Sequence, residues 1–122
     1  MVDLELLEHR LLAAALAGQP VTYGELLAFF ERRVTPVMVR ALCRDLGRVC
    51  DRIEAEGGPD FACLVVRASD RLPGAGYFQA MRVAGQYVGP DEGDAAVRFV
   101  RDAQARAQAY AQARAAGGPG RR

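Results

Sequence analysis

The chain has 122 residues and a net charge of +1, from 16 basic and 15 acidic side chains. That length supports one domain with one modest core, and the near-neutral balance excludes a polycation. At 51% apolar and 25% charged, the composition is that of an ordinary globular protein; every basic residue is Arg, and Ala fills 22 positions, biases of coding habit rather than function.

The first element is a helix over residues 3–17, with Leu4, Leu7, Leu11 and Ala14 or Ala15 at helical spacing and His9 on the polar side. Its apolar run, residues 11–17, is too short to span a membrane. Asp3, Glu5 and Glu8 place acid where an export signal needs positive charge, so the segment reads as part of a mature protein. Gly18-Gln19-Pro20 stops it. Thr22 and Glu25 then form a capping box, flanked by Val21 and Leu26, which opens a two-turn helix ending near Phe30. After a short turn, Thr35 caps a third helix with Pro36 at its first position.

The third helix covers residues 36–56 and ends at Gly57-Gly58-Pro59, with a kink at Gly47 left open. Val39, Leu42, Leu46, Val49, Cys50 and Ile53 share one face; Arg40, Arg44, Arg48 and Arg52 share the opposite one. Residues 61–66 form a nearly continuous apolar run, read as a buried strand. A Gly- and Pro-rich turn follows, and residues 77–83 are expected to return as the antiparallel partner. Residues 84–93 read as a linker. A last, Ala-rich helix opens on Asp91, Glu92 and Asp94. Its stripe of Val97, Val100, Ala103, Ala107 and Tyr110 thins from about residue 105, leaving a frayed or partner-stabilised end.

Cys43, Cys50 and Cys63 show no metal-ligand spacing and are an odd number for disulfides. On one helix, Cys43 and Cys50 stand about 10 Å apart along the axis, beyond disulfide reach. The three fit a reducing cytoplasm. A single His excludes a His-based metal site, and nothing around it marks it as a base. No catalytic residue, metal or cofactor is expected.

A helix, two short-linked helices and a strand pair follow the order of a winged helix-turn-helix, in which the second helix of the pair enters the major groove. Residues 31–52 carry six arginines against three acids, whereas residues 1–30 carry one against four. The basic patch thus falls where a DNA reader needs it, since Arg pairs bidentately with phosphate and with the guanine edge. The same stripe is also what any solvated helix face shows, with Asp45 and Asp51 within reach of Arg48.

Val21-Thr22-Tyr23-Gly24-Glu25-Leu26 resembles the opening of the winged-helix domain in alkylguanine-DNA alkyltransferases and alkyltransferase-like proteins. Residues 40–46, Arg-Ala-Leu-Cys-Arg-Asp-Leu, resemble that family's recognition helix. The resemblance covers residues 20–78. It implies that Tyr23 lies near a flipped nucleotide and that Arg40 fills the gap left in the duplex. It departs at the active-site strand. Leu64 follows Cys63 where the family has His, and aligning on Val65-Val66 instead places Ala62 at the nucleophile. An apolar strand without a neighbouring base raises a thiol's pKa, so Cys63 reads as core and alkyl transfer is not expected. The strand and the Leu-Pro-Gly-Ala-Gly turn are also similar to those of small uncharacterised bacterial proteins that pair TYGEL with LPGxG, which implies no activity. Gly74 and Gly76 read as a turn, not a phosphate loop.

The expectation is therefore an α+β, mainly helical fold: a winged helix-turn-helix with a short antiparallel hairpin and an Ala-rich C-terminal helix. Residues 1–115 make one winged-helix-like domain, with 20–83 as helix-turn-helix plus wing, 91–115 as the last helix and 116–122 as a disordered tail. The expected function is non-catalytic binding of duplex DNA. Tyr23, Arg40 and Arg44 lead at the groove, Arg32, Arg33 and Arg48 reach phosphates, and Arg67 and Arg71 support from the wing. The alternative is an interaction or assembly module, in which the last helix packs on a second copy or another subunit and the arginines are merely solvated.

Overall fold

In the computed structural model, which describes residues 2–117, five α-helices enclose one two-stranded parallel sheet. Helix α1 spans Leu4–Ala17; the Asp3 carboxylate accepts from the Glu5 and Leu6 amides, satisfying two donors that a helix start leaves unpaired. Leu7, Leu11, Ala14 and Ala15 form its buried stripe, as their spacing predicts. Strand β1 is Val21–Thr22, and α2 follows at once as Tyr23–Phe29. The capping box forms in both directions: Thr22 Oγ1 accepts from Glu25 N at 3.0 Å and Glu25 Oε1 from Thr22 N at 2.9 Å.

Helix α3, Pro36–Ala55, starts under Thr35, whose hydroxyl accepts from Met38 N at 3.1 Å. It passes through Gly47 without a break. Leu42, Leu46, Val49, Cys50 and Ile53 are buried along it, the face expected from a 3.6-residue period. Helices α1 and α3, together with α4 (Ala75–Val83), all end the same way. A residue in the left-handed region lets two amides turn back onto the last carbonyls, and that residue is Gly18, Gly57 and Gly85 in turn. Helix α2 closes by the same pair of bonds, Glu31 N to Ala28 O and Arg32 N to Leu27 O, but with Glu31 at φ +58°. The tight turn between α2 and α3 is thus held in a conformation that suits glycine.

Two expectations fail between residues 61 and 83. The apolar run is not one long strand: residues 62–64 form a 3₁₀ turn, and only Val65–Val66 is extended, as β2. Its partner is β1, parallel, with Val21 opposite Val65 and Thr22 opposite Val66. The antiparallel hairpin does not form, because residues 77–83 belong to α4, with Tyr77 and Phe78 buried and Met81 half-buried on one face. In place of a hairpin wing, residues 67–74 make a loop closed by Arg67 N to Leu72 O at 2.8 Å. The 84–93 linker is pinned. Tyr87 stacks between Phe78 and Phe99, its hydroxyl donates to Pro90 O, and Arg82 bonds to Gly89 O and pairs with Asp91.

Helix α5 runs Asp94–Ala116 without fraying at residue 105. Ala96, Val100, Ala103, Ala107 and Ala111 are buried against α1 and the 62–64 turn. The stripe that the alternative reading offers to a second copy or another subunit thus packs against the chain itself. Ala116 ends the helix and Gly117 turns; the remainder of the expected tail, 118–122, lies outside the described residues.

Two backbone positions should respond in opposite chemical directions with the same sign. A Cβ on Gly47 meets nothing within 4 Å, so Gly47→Ala should stabilise α3 by about 0.5–1 kcal/mol. Glu31→Gly should add about 1 kcal/mol by relieving the left-handed backbone. Urea unfolding checks both; a lower midpoint for either variant removes the corresponding account.

Candidate nucleic-acid interface

The elements that set this surface are α2, the 30–35 turn and the first half of α3. Gly24 lies against the turn, where a Cβ would approach Val34 Cγ2 at 3.8 Å. Val34 and Val37 are 65% and 60% exposed, an apolar pair at the leading end of α3 that the sequence reading did not single out. Beyond them Arg40 and Arg44 are exposed, one helical turn apart, and Arg33 is exposed in the turn. Among the described residues none of these three forms an ion pair. Further along, the stripe is engaged: Arg48 stands 3.6 Å from buried Asp45, and Arg52 pairs with Glu8 of α1 at 3.3 Å. Asp45 also accepts from Val2 N, and its carboxyl lies below the usual range despite the opposing effect of burial, because of the charge and hydrogen-bond donors around it. The available positive charge of α3 therefore sits in its N-terminal half.

The other expected residues are engaged by the fold itself, although Arg32 and Arg71 remain exposed. Arg32 donates to Phe30 O at 3.3 Å within the turn. Tyr23 is half-buried, and its hydroxyl accepts from Gly74 N at 3.1 Å, tying α2 to the 67–74 loop. Burial raises its pKa, while the Gly74 amide opposes the shift. Cys43 of α3 and Arg67 both lie within electrostatic reach of that phenol. Arg67 forms a two-pronged pair with Asp70, which belongs to the loop's own closure. Arg71 donates to Pro20 O at 3.3 Å from a backbone at φ +60°. The loop thus uses Arg67 and Arg71 to hold its shape, and neither projects from a hairpin. Arg10, which carries no local signal in the sequence, lies over the Phe29 ring at 4.7 Å and joins Arg71 around a cleft on the far flank of α2.

The thiols divide by position. Cys63 is fully buried in the 3₁₀ turn, its Sγ 3.6 Å from Asp60 O; burial first, and the Asp60 charge second, push its pKa upward. Cys50 is buried beside it and is pushed up to about 12 by the same causes. His9 is exposed on α1, away from both. Asp60 accepts from Ala62 N and from the Tyr77 hydroxyl, each at 2.8 Å, and burial raises its pKa in spite of those donors. Among the described residues no group of three His, Cys, Asp or Glu side chains could hold a metal ion, and no helix is long and apolar enough to cross a membrane.

Two outcomes follow from this burial. A thiol reagent at neutral pH should label Cys43, which is exposed, while Cys50 and Cys63 react only on unfolding; Cys43→Ser should abolish the fast phase. Rapid modification of two or three thiols would contradict the placement. For Asp60, a raised folded pKa means stability present in acid and lost as pH rises through that pKa. Asp60→Asn can keep the Ala62 bond and donate to the Tyr77 oxygen. It should therefore gain stability over the parent at pH 7 but not at pH 3, as followed by thermal unfolding; a pH-independent difference would refute the assignment.

Comparison of the chain with protein-family models, with curated proteins and with solved structures found no match.

Proposed function

We propose that this protein binds duplex DNA without catalysis, presenting the N-terminal half of α3 to the major groove. The observation that carries the reading is that Arg40 and Arg44, exposed and without an ion pair among the described residues, share one face of a helix whose flanking turn is tightly capped. In helix-turn-helix recognition the leading residues of the second helix meet base edges. Arg40 and Arg44 are placed for bidentate contact to guanine or phosphate, and Val37 for a thymine methyl. Arg33, with Arg32 beside it, reaches the sugar-phosphate backbone, and the 67–74 loop supports the face by holding Tyr23. Arg48 contributes less, since Asp45 offsets its charge. The alkyltransferase-like resemblance supports the same surface, but with Cys63 buried and no base beside it the proposal contains no alkyl transfer. Three free thiols suit a reducing, cytoplasmic setting.

The test is fluorescence anisotropy of a labelled duplex, with and without an alkylated guanine, at two salt concentrations. Binding should weaken as salt rises, by a slope of about 0.9 per phosphate contact. Arg40→Ala with Arg44→Ala should cost about 2 kcal/mol or more of binding while leaving the melting temperature unchanged. An unaltered affinity in the double variant would remove this face, and absence of binding at low salt would remove the function.

A further inference from the structure

On the flank of α2 away from α3, a cleft of about 470 Å³ lies between α1, residues 19–21 and the 67–72 loop. Its polar lining is Arg10, Gln19, Glu25 and Arg71; alanines of α1 and Pro20 supply the apolar wall. That volume falls within the range of about 300–1,000 Å³ found for small-ligand sites.

Three features of the two arginines need explaining. Arg10 Nε is buried with no hydrogen-bond partner among the described residues, a rare state for so strong a donor. Its guanidinium rests on the Phe29 ring, 4.7 Å from the centroid, which fixes its place without satisfying its N–H groups. Arg71 reaches the same cleft from a left-handed backbone, φ +60°, and gives one long bond to Pro20 O. Among the described residues neither arginine forms an ion pair. Glu25 is within electrostatic reach of both, yet its Oε1 is held by the Thr22 amide in the capping box. Two guanidinium groups against one carboxylate leave the cleft positive.

We propose that this cleft binds a phosphate group carried on a small organic moiety, gripped between Arg10 and Arg71. Two guanidinium forks from two different elements favour a tetrahedral anion. A carboxylate is planar and is satisfied by one fork, whereas phosphate presents oxygens in several directions. The Arg10 Nε–H then gains its acceptor, and the small apolar wall receives the organic part. The phosphate belongs either to a free ester or to a nucleic-acid backbone, and the site stands independently of the proposal for α3.

The test follows arginine Nε–Hε resonances of the full chain during titration with inorganic phosphate, with sodium chloride and sodium acetate as controls at matched ionic strength. Arg10 and Arg71 should move saturably with phosphate and not with the controls. Arg10→Gln and Arg71→Gln should each weaken that response about tenfold or more. Arg71→Gln keeps the test sound if loss of the Phe29 contact unfolds the other variant. Equal movement with acetate, no saturation, or movement centred on Arg40 and Arg44 would overturn the assignment. Arg40→Ala with Arg44→Ala should leave phosphate affinity unchanged, which separates this site from the duplex face. A duplex that shifts Arg10 and Arg71 and is displaced by phosphate supports the site with backbone as its source. A duplex that bypasses them, while phosphate still binds, supports it with a free ester as the source.

Discussion

Residues 61–66 run through the core, with all but half-buried Ala62 closed off from water. Phe61, Cys63, Leu64, Val65 and Val66 are all buried, so each amide and carbonyl there needs a partner from elsewhere in the chain. The partners come from three directions. Asp60 takes the Ala62 amide, Gln104 of α5 donates to Cys63 O at 2.9 Å, and β1 lies beside Val65 and Val66. Satisfying this one segment fixes α5 against the core and fixes where β1 lies. Because α2 begins at the residue after β1, it also fixes where the α2–α3 pair starts. The parallel register then releases the chain at Arg67 close to Tyr23, and the Tyr23–Gly74 bond follows from that proximity.

The same order of dependence sorts the arginines. Several are recruited by the fold: Arg67 by Asp70, Arg82 by Asp91, Arg52 by Glu8, Arg114 by Glu56. Such exposed or half-exposed pairs contribute little to stability individually, on the order of 0–1 kcal/mol each. Their larger effect is on what remains. Arg33, Arg40 and Arg44 and, separately, Arg10 and Arg71 form no ion pair with the described residues, so their positive charge stays available.

How much of this was legible in the sequence depended on the range of the interaction. The Thr22–Glu25 box, the Thr35-Pro36 start and the Gly57 stop are local, involve side chains a few residues apart, and form as their spacing predicts. The apolar face of α3 was equally readable from its period. The run at 61–66 was not, because a segment buried on all sides has no polar alternation to distinguish strand from 3₁₀ turn. Its strand partner lies before α2, a pairing that no local pattern encodes. Tyr77 and Phe78 followed a turn signal and so suggested a hairpin, although Ala75, Gln79, Ala80, Met81 and Arg82 are good helix formers. The C-terminal half of α5 looked weak because its stripe is alanine. It holds because α1 also presents Ala14 and Ala15, and two small-residue faces approach closely enough to exclude water. At the candidate face, Arg40 and Arg44 were identifiable from periodicity alone. Arg10 was not, since only the tertiary arrangement of α1 and α2 brings it to Phe29.

The short helix α2, packed on α3 and β1, holds a central position in this arrangement. Its Leu26 and Leu27 point into the core, Gly24 lies against the turn that leads to α3, and Glu25 and Phe29, one turn apart, face α1. One flank therefore adjoins the Arg40–Arg44 surface and the other the Arg10–Arg71 cleft. Two turns of helix suffice because both ends are capped: the Thr22–Glu25 box fixes one, and the bonds around Glu31 fix the other. A two-turn helix is marginal on its own, so its rigidity comes from those caps and from burial of its leucines. Glu25 joins the two roles: the carboxylate that closes the capping box is also the negative charge between Arg10 and Arg71.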